Sequence, residues 1–132
     1  MTMGDLTGRR ILVVEDETLI AVAIEDVLQG LGCVVVGPVG KLDAALRLAR
    51  DEALDAAVLD VTIRGGHAYA VADQLHARGV PFVLASGYGG WALPESLQSR
   101  PRLTKPFTAQ ALQEQVRSLV AGATGREQAS PA

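Results

Sequence analysis

The chain has 132 residues, of which 48% are apolar but only 4% aromatic, and it carries a net charge of −3 with a pI near 5.3. That length supports one domain with an aliphatic core and no need of disulfide or metal staples. The mild acidity, without any Lys/Arg block, argues against nucleic-acid binding, and no apolar stretch approaches membrane-spanning length.

The first apolar run, Ile11-Leu12-Val13-Val14, is closed after four residues by Glu15-Asp16, so it is a strand end and not a secretory h-region. Ile20, Ala23, Ile24, Val27, Leu28 and Leu31 then recur at helical spacing, with Gly32 as a stop. Cys33 to Val36 reads as the second strand, ended by Gly37-Pro38, and the lone cysteine as a small core residue of a reducing compartment. A cytoplasmic location with no membrane contact is the expectation. A second helix begins near Leu42, and Ala56 to Leu59 forms the third strand, closed by Asp60. Past Gly65-Gly66 a third helix runs to about Arg78, and Gly79 ends it. Phe82 to Ala85 is the fourth strand, followed by Ser86, and Leu103-Thr104 is a brief fifth, followed by Lys105-Pro106. The last helix presents Leu112, Val116, Leu119 and Val120 and stops at Gly122.

Strands alternating with helices of this length predict βαβ units, a parallel sheet and a doubly wound α/β sandwich. Between Ser86 and Lys105 the residues Gly87, Gly89, Gly90, Pro94 and Pro101 leave room for a turn or two of helix near Glu95–Ser99. The fourth helix is therefore expected short or distorted. The expected organisation is an N-terminal extension over 1–8, a domain over 9–122 and a disordered tail over 123–132, with no second domain or linker.

Ligands of an open parallel sheet sit beyond the carboxyl ends of its strands. There the sequence sets Glu15-Asp16, Asp60, Ser86 and Lys105. A strand-end aspartate is ionised at neutral pH and can attack phosphorus without a general base. Mg²⁺, with Mn²⁺ or Ca²⁺ as substitutes, would offset the crowding of negative charge. Asp16 and Asp60 would bind it directly, Glu15 through water, and the backbone carbonyl of Thr62 would add a ligand. Lys105 supplies a point charge to phosphoryl oxygens and Ser86 a hydroxyl donor that can draw the Gly87–Gly90 loop inward. Lys105-Pro106 is a candidate cis peptide. His67 and His76 lack partner ligands and read as solvated, while Trp91 reads as a docking anchor or a lid.

In this order and spacing, Glu15-Asp16, Asp60, Ser86 and Lys105-Pro106 resemble the receiver domain of two-component response regulators, over roughly Arg10 to Gly122. The segment Leu84-Ala85-Ser86-Gly87-Tyr88-Gly89 is similar to a narrower stand-alone group with a Phe-Ala-Thr-Gly-Tyr-Gly signature, from which Leu84 and Ser86 depart. The resemblance implies a flavodoxin-like fold with strand order 2-1-3-4-5 and a bacterial phosphorelay role. It implies Mg²⁺-dependent acceptance of a phosphoryl group on Asp60 from a histidine kinase or histidine phosphotransfer protein. It further implies output through a protein partner or a phosphate-sink role, self-catalysed rather than enzymatic turnover, and a homodimer through the face of the fourth helix, fifth strand and fifth helix. Arg102 stands where many receivers carry an aromatic switch, so Gly87 and Tyr88 become the expected switch, and Thr62 and Tyr88 the residues expected to govern phosphate lifetime. Arg64 replaces a common proline, and Glu15 stands where aspartate is commonest. Two other readings use the same residues. A haloacid-dehalogenase-like phosphatase would usually carry Asp-x-Asp on the first strand, which this chain lacks. A phosphorylation-independent interaction module would need none of the site.

Overall fold

The computed structural model of the protein describes residues 6–87 and 93–129, the last part (123–129) as backbone. Five parallel strands form the sheet: β1 (Arg10–Val14), β2 (Val34–Val39), β3 (Ala56–Asp60), β6 (Phe82–Gly87) and β7 (Arg102–Lys105). Their order is β2-β1-β3-β6-β7, which is the expected 2-1-3-4-5 when only sheet strands are counted. Two short strands, β4 (Thr62–Ile63) and β5 (Gly66–His67), pair antiparallel in a hairpin that the sequence reading did not anticipate. With two residues each, they show no alternation for a pattern to reveal.

Alternate residues of the central strands point to opposite faces. Leu12, Val14, Ala57, Leu59, Phe82 and Leu84 enter one core layer with Ala45 and Ala49 of α2 (Leu42–Asp51) and Val71, Ala72 and Leu75 of α3 (Tyr69–Ala77). Ile11, Val13, Ala56, Val58, Val83 and Ala85 enter the other. There they meet Ile24 and Leu28 of α1 (Thr18–Gly30) and Leu112 and Val116 of α4 (Ala109–Ala129). Burial on both faces explains why these strands read as continuous aliphatic runs.

The helix stops follow the expected chemistry. Gly32 has φ of +87° just past α1, and Gly79 has φ of +73° past α3, a backbone state that glycine enters without steric cost. Between β6 and β7 the described residues hold a single 3₁₀ turn, Glu95–Leu97, so the fourth helix is short as expected. Thr108 Oγ1 accepts from the Ala111 N–H at 3.0 Å and caps α4.

At the two chain ends the structure departs from the sequence reading. Leu6 is buried and its N–H donates to the Leu31 carbonyl at 3.1 Å, so part of the 1–8 extension packs on the domain. The backbone of α4 stays helical to Ala129 rather than stopping at Gly122. Ala, Glu, Gln and Arg in that segment favour helix, and an isolated glycine costs only about 1 kcal/mol. His76 also gains a partner, its Nδ1 lying 2.6 Å from Arg100 Nη2, and Arg100 stacks over the Phe82 ring at 4.5 Å. Tyr88, Gly89, Gly90, Trp91 and residues 130–132 lie outside the described residues.

Leu28 is fully buried where α1 seals its face of the sheet. Leu28→Ala should lower unfolding free energy by about 2–5 kcal/mol. The urea midpoint at unchanged slope measures this, and a loss below about 1 kcal/mol would show that α1 does not seal that face.

Candidate functional site

The carboxyl ends of β1 and β3 bring the acidic residues together. Glu15 follows β1, and its N–H donates to the Val39 carbonyl at 2.9 Å, locking the strand end to β2. Asp16 lies against the turn after β2. A β-carbon on Gly40 would stand 2.9 Å from Asp16 Cα and 3.3 Å from the Glu15 carbonyl. Only glycine lets that turn approach so closely. The spacing Gly37-Pro38-Val39-Gly40 gave no sign of this role. Asp60 closes β3, and Glu15, Asp16 and Asp60 each place a carboxylate oxygen within 4.8 Å of the others.

Lys105 reaches the same point from the end of β7, across the intervening β6. Its Nζ lies 2.8 Å from Glu15 Oε1, 3.1 Å from Asp60 Oδ2 and 3.3 Å from Glu17 Oε1. The Lys105–Pro106 peptide is cis, as expected, and Gly37–Pro38 is cis as well. Thr62 donates its N–H to Asp60 Oδ1 at 3.3 Å and begins the hairpin. Ser86, buried near the end of β6, follows Ala85, the register partner of Asp60. Its hydroxyl donates to the Gly87 carbonyl at 3.2 Å. Gly87 pairs in register with Lys105. The sequence reading therefore named the converging residues except Glu17 and Gly40.

The electrostatics of this cluster invite a cation. Burial first, and then the neighbouring Glu15, push the Asp60 carboxyl up to about 6 despite the attraction of Lys105. Burial works against the Lys105 ammonium, but the carboxylates of Glu15 and Asp60 outweigh it and push its pKa up to about 12. Glu15 Oε1 takes Lys105 Nζ at 2.8 Å as its ion-pair partner. Three converging carboxylates against one ammonium are a hard-oxygen donor set of the kind Mg²⁺ takes.

A raised aspartate pKa has a definite sign in linkage. The folded chain binds this proton more tightly than the unfolded chain, so stability is lost as pH rises from 3.8 through about 6. Asp60→Asn should then stabilise the metal-free protein at pH 7.5, by about 1 kcal/mol after allowance for screening. The gain should fall by roughly half at pH 5, vanish below pH 3.8 and vanish in saturating Mg²⁺, as read by thermal unfolding; a destabilised asparagine variant at pH 7.5 would contradict the charge balance described here. Mg²⁺ affinity should likewise fall below about pH 6, where the cation competes with the Asp60 proton; calorimetric titration at pH 5 and 7.5 measures it, and equal affinities would refute the competition.

Comparison with known proteins agrees with this geometry. The sequence matches the response regulator receiver domain family over residues 11–117. The solution structure of SdrG from Sphingomonas melonis Fr1 is 39% identical with a TM-score of 0.76, the match covering 91% of this chain and 99% of that one. SdrG in its BeF3-activated conformation, from Pseudomonas melonis Fr1, is 41% identical with a TM-score of 0.70, over 84% of this chain and 95% of that one. The receiver domain of sensor histidine kinase PA1611 from Pseudomonas aeruginosa PAO1, with a magnesium ion coordinated in its active-site cleft, is 27% identical. Its TM-score is 0.75, over 87% of this chain and 99% of that one. A search of curated proteins returned no match. With its sequence match spanning most of the chain and the acidic cluster and lysine gathered at the strand ends, the protein belongs to the response regulator receiver domain family.

Proposed function

We propose that this chain is a phosphoryl-accepting response regulator in which Asp60 is the acceptor. A histidine kinase or a histidine phosphotransfer protein serves as donor, and the product acts on a protein partner or drains phosphate from a shared kinase. One observation carries the reading: Lys105 Nζ stands 2.8 Å from Glu15 and 3.1 Å from Asp60, within a cluster of three carboxylates at the strand ends. A structural ion pair would not need the third carboxylate. SdrG has a BeF3-activated form and the PA1611 receiver holds magnesium, which supports the same chemistry here.

Glu15, Asp16 and Asp60 would hold Mg²⁺, with the Thr62 carbonyl as a further ligand and Mn²⁺ or Ca²⁺ as substitutes. Bound there, the ion supplies the positive charge that lets an anionic phosphoryl group approach an anionic nucleophile. Asp60 forms the new O–P bond as the donor's P–N bond breaks, and the bond's electron pair leaves on the imidazole nitrogen. Lys105 neutralises charge on the phosphoryl oxygens as it spreads in the loose transition state. Ser86 turns its hydroxyl from the Gly87 carbonyl to a phosphoryl oxygen, which ties phosphorylation to the loop from Gly87 through Tyr88. Thr62 and Tyr88 govern hydrolysis of the acyl phosphate.

The donor's docking surface lies beside this site. Leu19 is 86% exposed and Val22 48% exposed on α1. A 240 Å³ apolar groove joins Leu19, Ile20 and Ala23 to Pro106, Phe107 and Leu112. Lys105 also lines the groove, so a partner seated there reaches the acceptor. Among the described residues no helix is long and apolar enough to cross a membrane.

Incubation with acetyl phosphate and Mg²⁺ should add one phosphoryl group, read as an intact-mass increase of about 80 Da, and Asp60→Asn should abolish it. Absence of the adduct from both acetyl phosphate and a cognate kinase would overturn the reading. Leu19→Asp should slow transfer from the protein donor about tenfold more than transfer from acetyl phosphate. Equal effects in the two assays would remove α1 from the docking surface.

A further inference from the structure

We infer that Glu17 is a positioning residue that holds Lys105 in reserve and competes with the phosphoryl group for its ammonium. The inference rests on the proposed phosphorylation of Asp60 and adds a residue to that chemistry.

An ammonium offers three donors, and three carboxylates surround the Lys105 Nζ: Glu15 at 2.8 Å, Asp60 at 3.1 Å and Glu17 at 3.3 Å. An arriving phosphoryl oxygen must displace one of them. The three are not equivalent. The side chains of Glu15 and Asp60 are 1% and 7% exposed, whereas that of Glu17 is 62% exposed. Stripping a cation from a buried carboxylate leaves a charge with no solvent to compensate it. Releasing an exposed carboxylate to water costs little. Glu17 is therefore the ligand that yields.

Its backbone fits the role. The Glu17 N–H donates to Glu15 Oε2 at 3.1 Å, and the residue is the N-cap of α1 without a side-chain capping bond. The main chain is thus held by the site while the side chain is committed only to Lys105. Glu17 also stands outside the trio of carboxylates close enough to share one cation, so its loss removes no ligand of that cluster. Two positions along α1 comes Leu19, at the centre of the exposed apolar surface. A donor protein docked on α1 covers Glu17 and turns it from Lys105; a small-molecule donor must displace it unaided. Glu17 thereby raises the barrier to phosphorylation by small acyl phosphates relative to phosphorylation by a docked protein.

The test compares wild type, Glu17→Gln and Glu17→Asp in acetyl phosphate and Mg²⁺, following phosphorylation by intact mass across donor concentrations. Mg²⁺ affinity and melting temperature are measured on the same proteins. Glu17→Gln should phosphorylate about two- to five-fold faster at subsaturating donor, the range of one exposed ion pair. The gain should appear in the half-saturating donor concentration and not in the plateau rate, with Mg²⁺ affinity unchanged. Glu17→Asp keeps the charge but loses the reach, and should behave like Glu17→Gln. If Glu17→Asp matches wild type while Glu17→Gln is faster, a general field acts and the contact is refuted. A Glu17→Gln variant no faster than a wild type that does take the phosphoryl group overturns this inference alone. A wild type that takes none overturns the phosphoacceptor reading beneath it.

Discussion

One ammonium among carboxylates governs the organisation of this protein. Lys105 Nζ bridges Glu15 at the end of β1 and Asp60 at the end of β3 from the far side of β6. The bridge forms because the parallel register carries three strand ends to one level. Asp60 stands opposite Ala85, and Gly87 opposite Lys105. Burial and Glu15 raise the Asp60 carboxyl to about 6, while the carboxylates of Glu15 and Asp60 raise the Lys105 ammonium to about 12 against its burial. The lysine offsets part of the acidic charge, and the three carboxylates are close enough together to share one cation. The low exposure that raises the Asp60 pKa would also strengthen contacts to the proposed phosphoryl group.

The rest of the fold serves to hold this level. The sheet is aliphatic and covered on both faces, with α1 and α4 on one side and α2 and α3 on the other, so strand ends cannot slide without exposing whole rows of side chains. Gly40 lets the turn after β2 close against Asp16. Around this rigid rim the chain keeps parts that can respond. The Ser86 hydroxyl is held by a single bond to a neighbouring carbonyl, and the Glu17 side chain leans on Lys105 from solvent. The proposed conversion of the Asp60 carboxylate, with one negative charge, to an acyl phosphate with about two would fall directly on both. The proposed chemistry would need little from the protein beyond position and charge.

Much of the architecture was legible because it follows from local patterning. Four-residue aliphatic runs marked the strands, helical spacing marked α1 to α4, and Gly32 and Gly79 marked helix stops that adopt positive φ. The crowding of Gly and Pro between Ser86 and Lys105 foretold a helix of at most a turn or two, and the described residues there hold the 3₁₀ turn Glu95–Leu97. The reading failed where no local pattern existed. The hairpin at Thr62–His67 rests on two-residue strands. The continuation of α4 past Gly122 reflects summed propensity outweighing two glycines, Gly122 and Gly125.

For the site, amino-acid order alone determined which chemical groups close which strands, since an apolar run interrupted by a carboxylate, hydroxyl or lysine can only present it at a strand end. Thus Glu15, Asp16, Asp60, Ser86 and Lys105 were identifiable from one dimension. Tertiary structure alone decided how they share charge. That Glu17 joins them, although it reads as an ordinary residue before a helix, depends on Lys105 arriving from 88 positions away. That Gly40 is obligatory depends on how closely two turns approach. Distances of about 3 Å between remote residues are set by packing and register, and these do not exist until the sheet has formed.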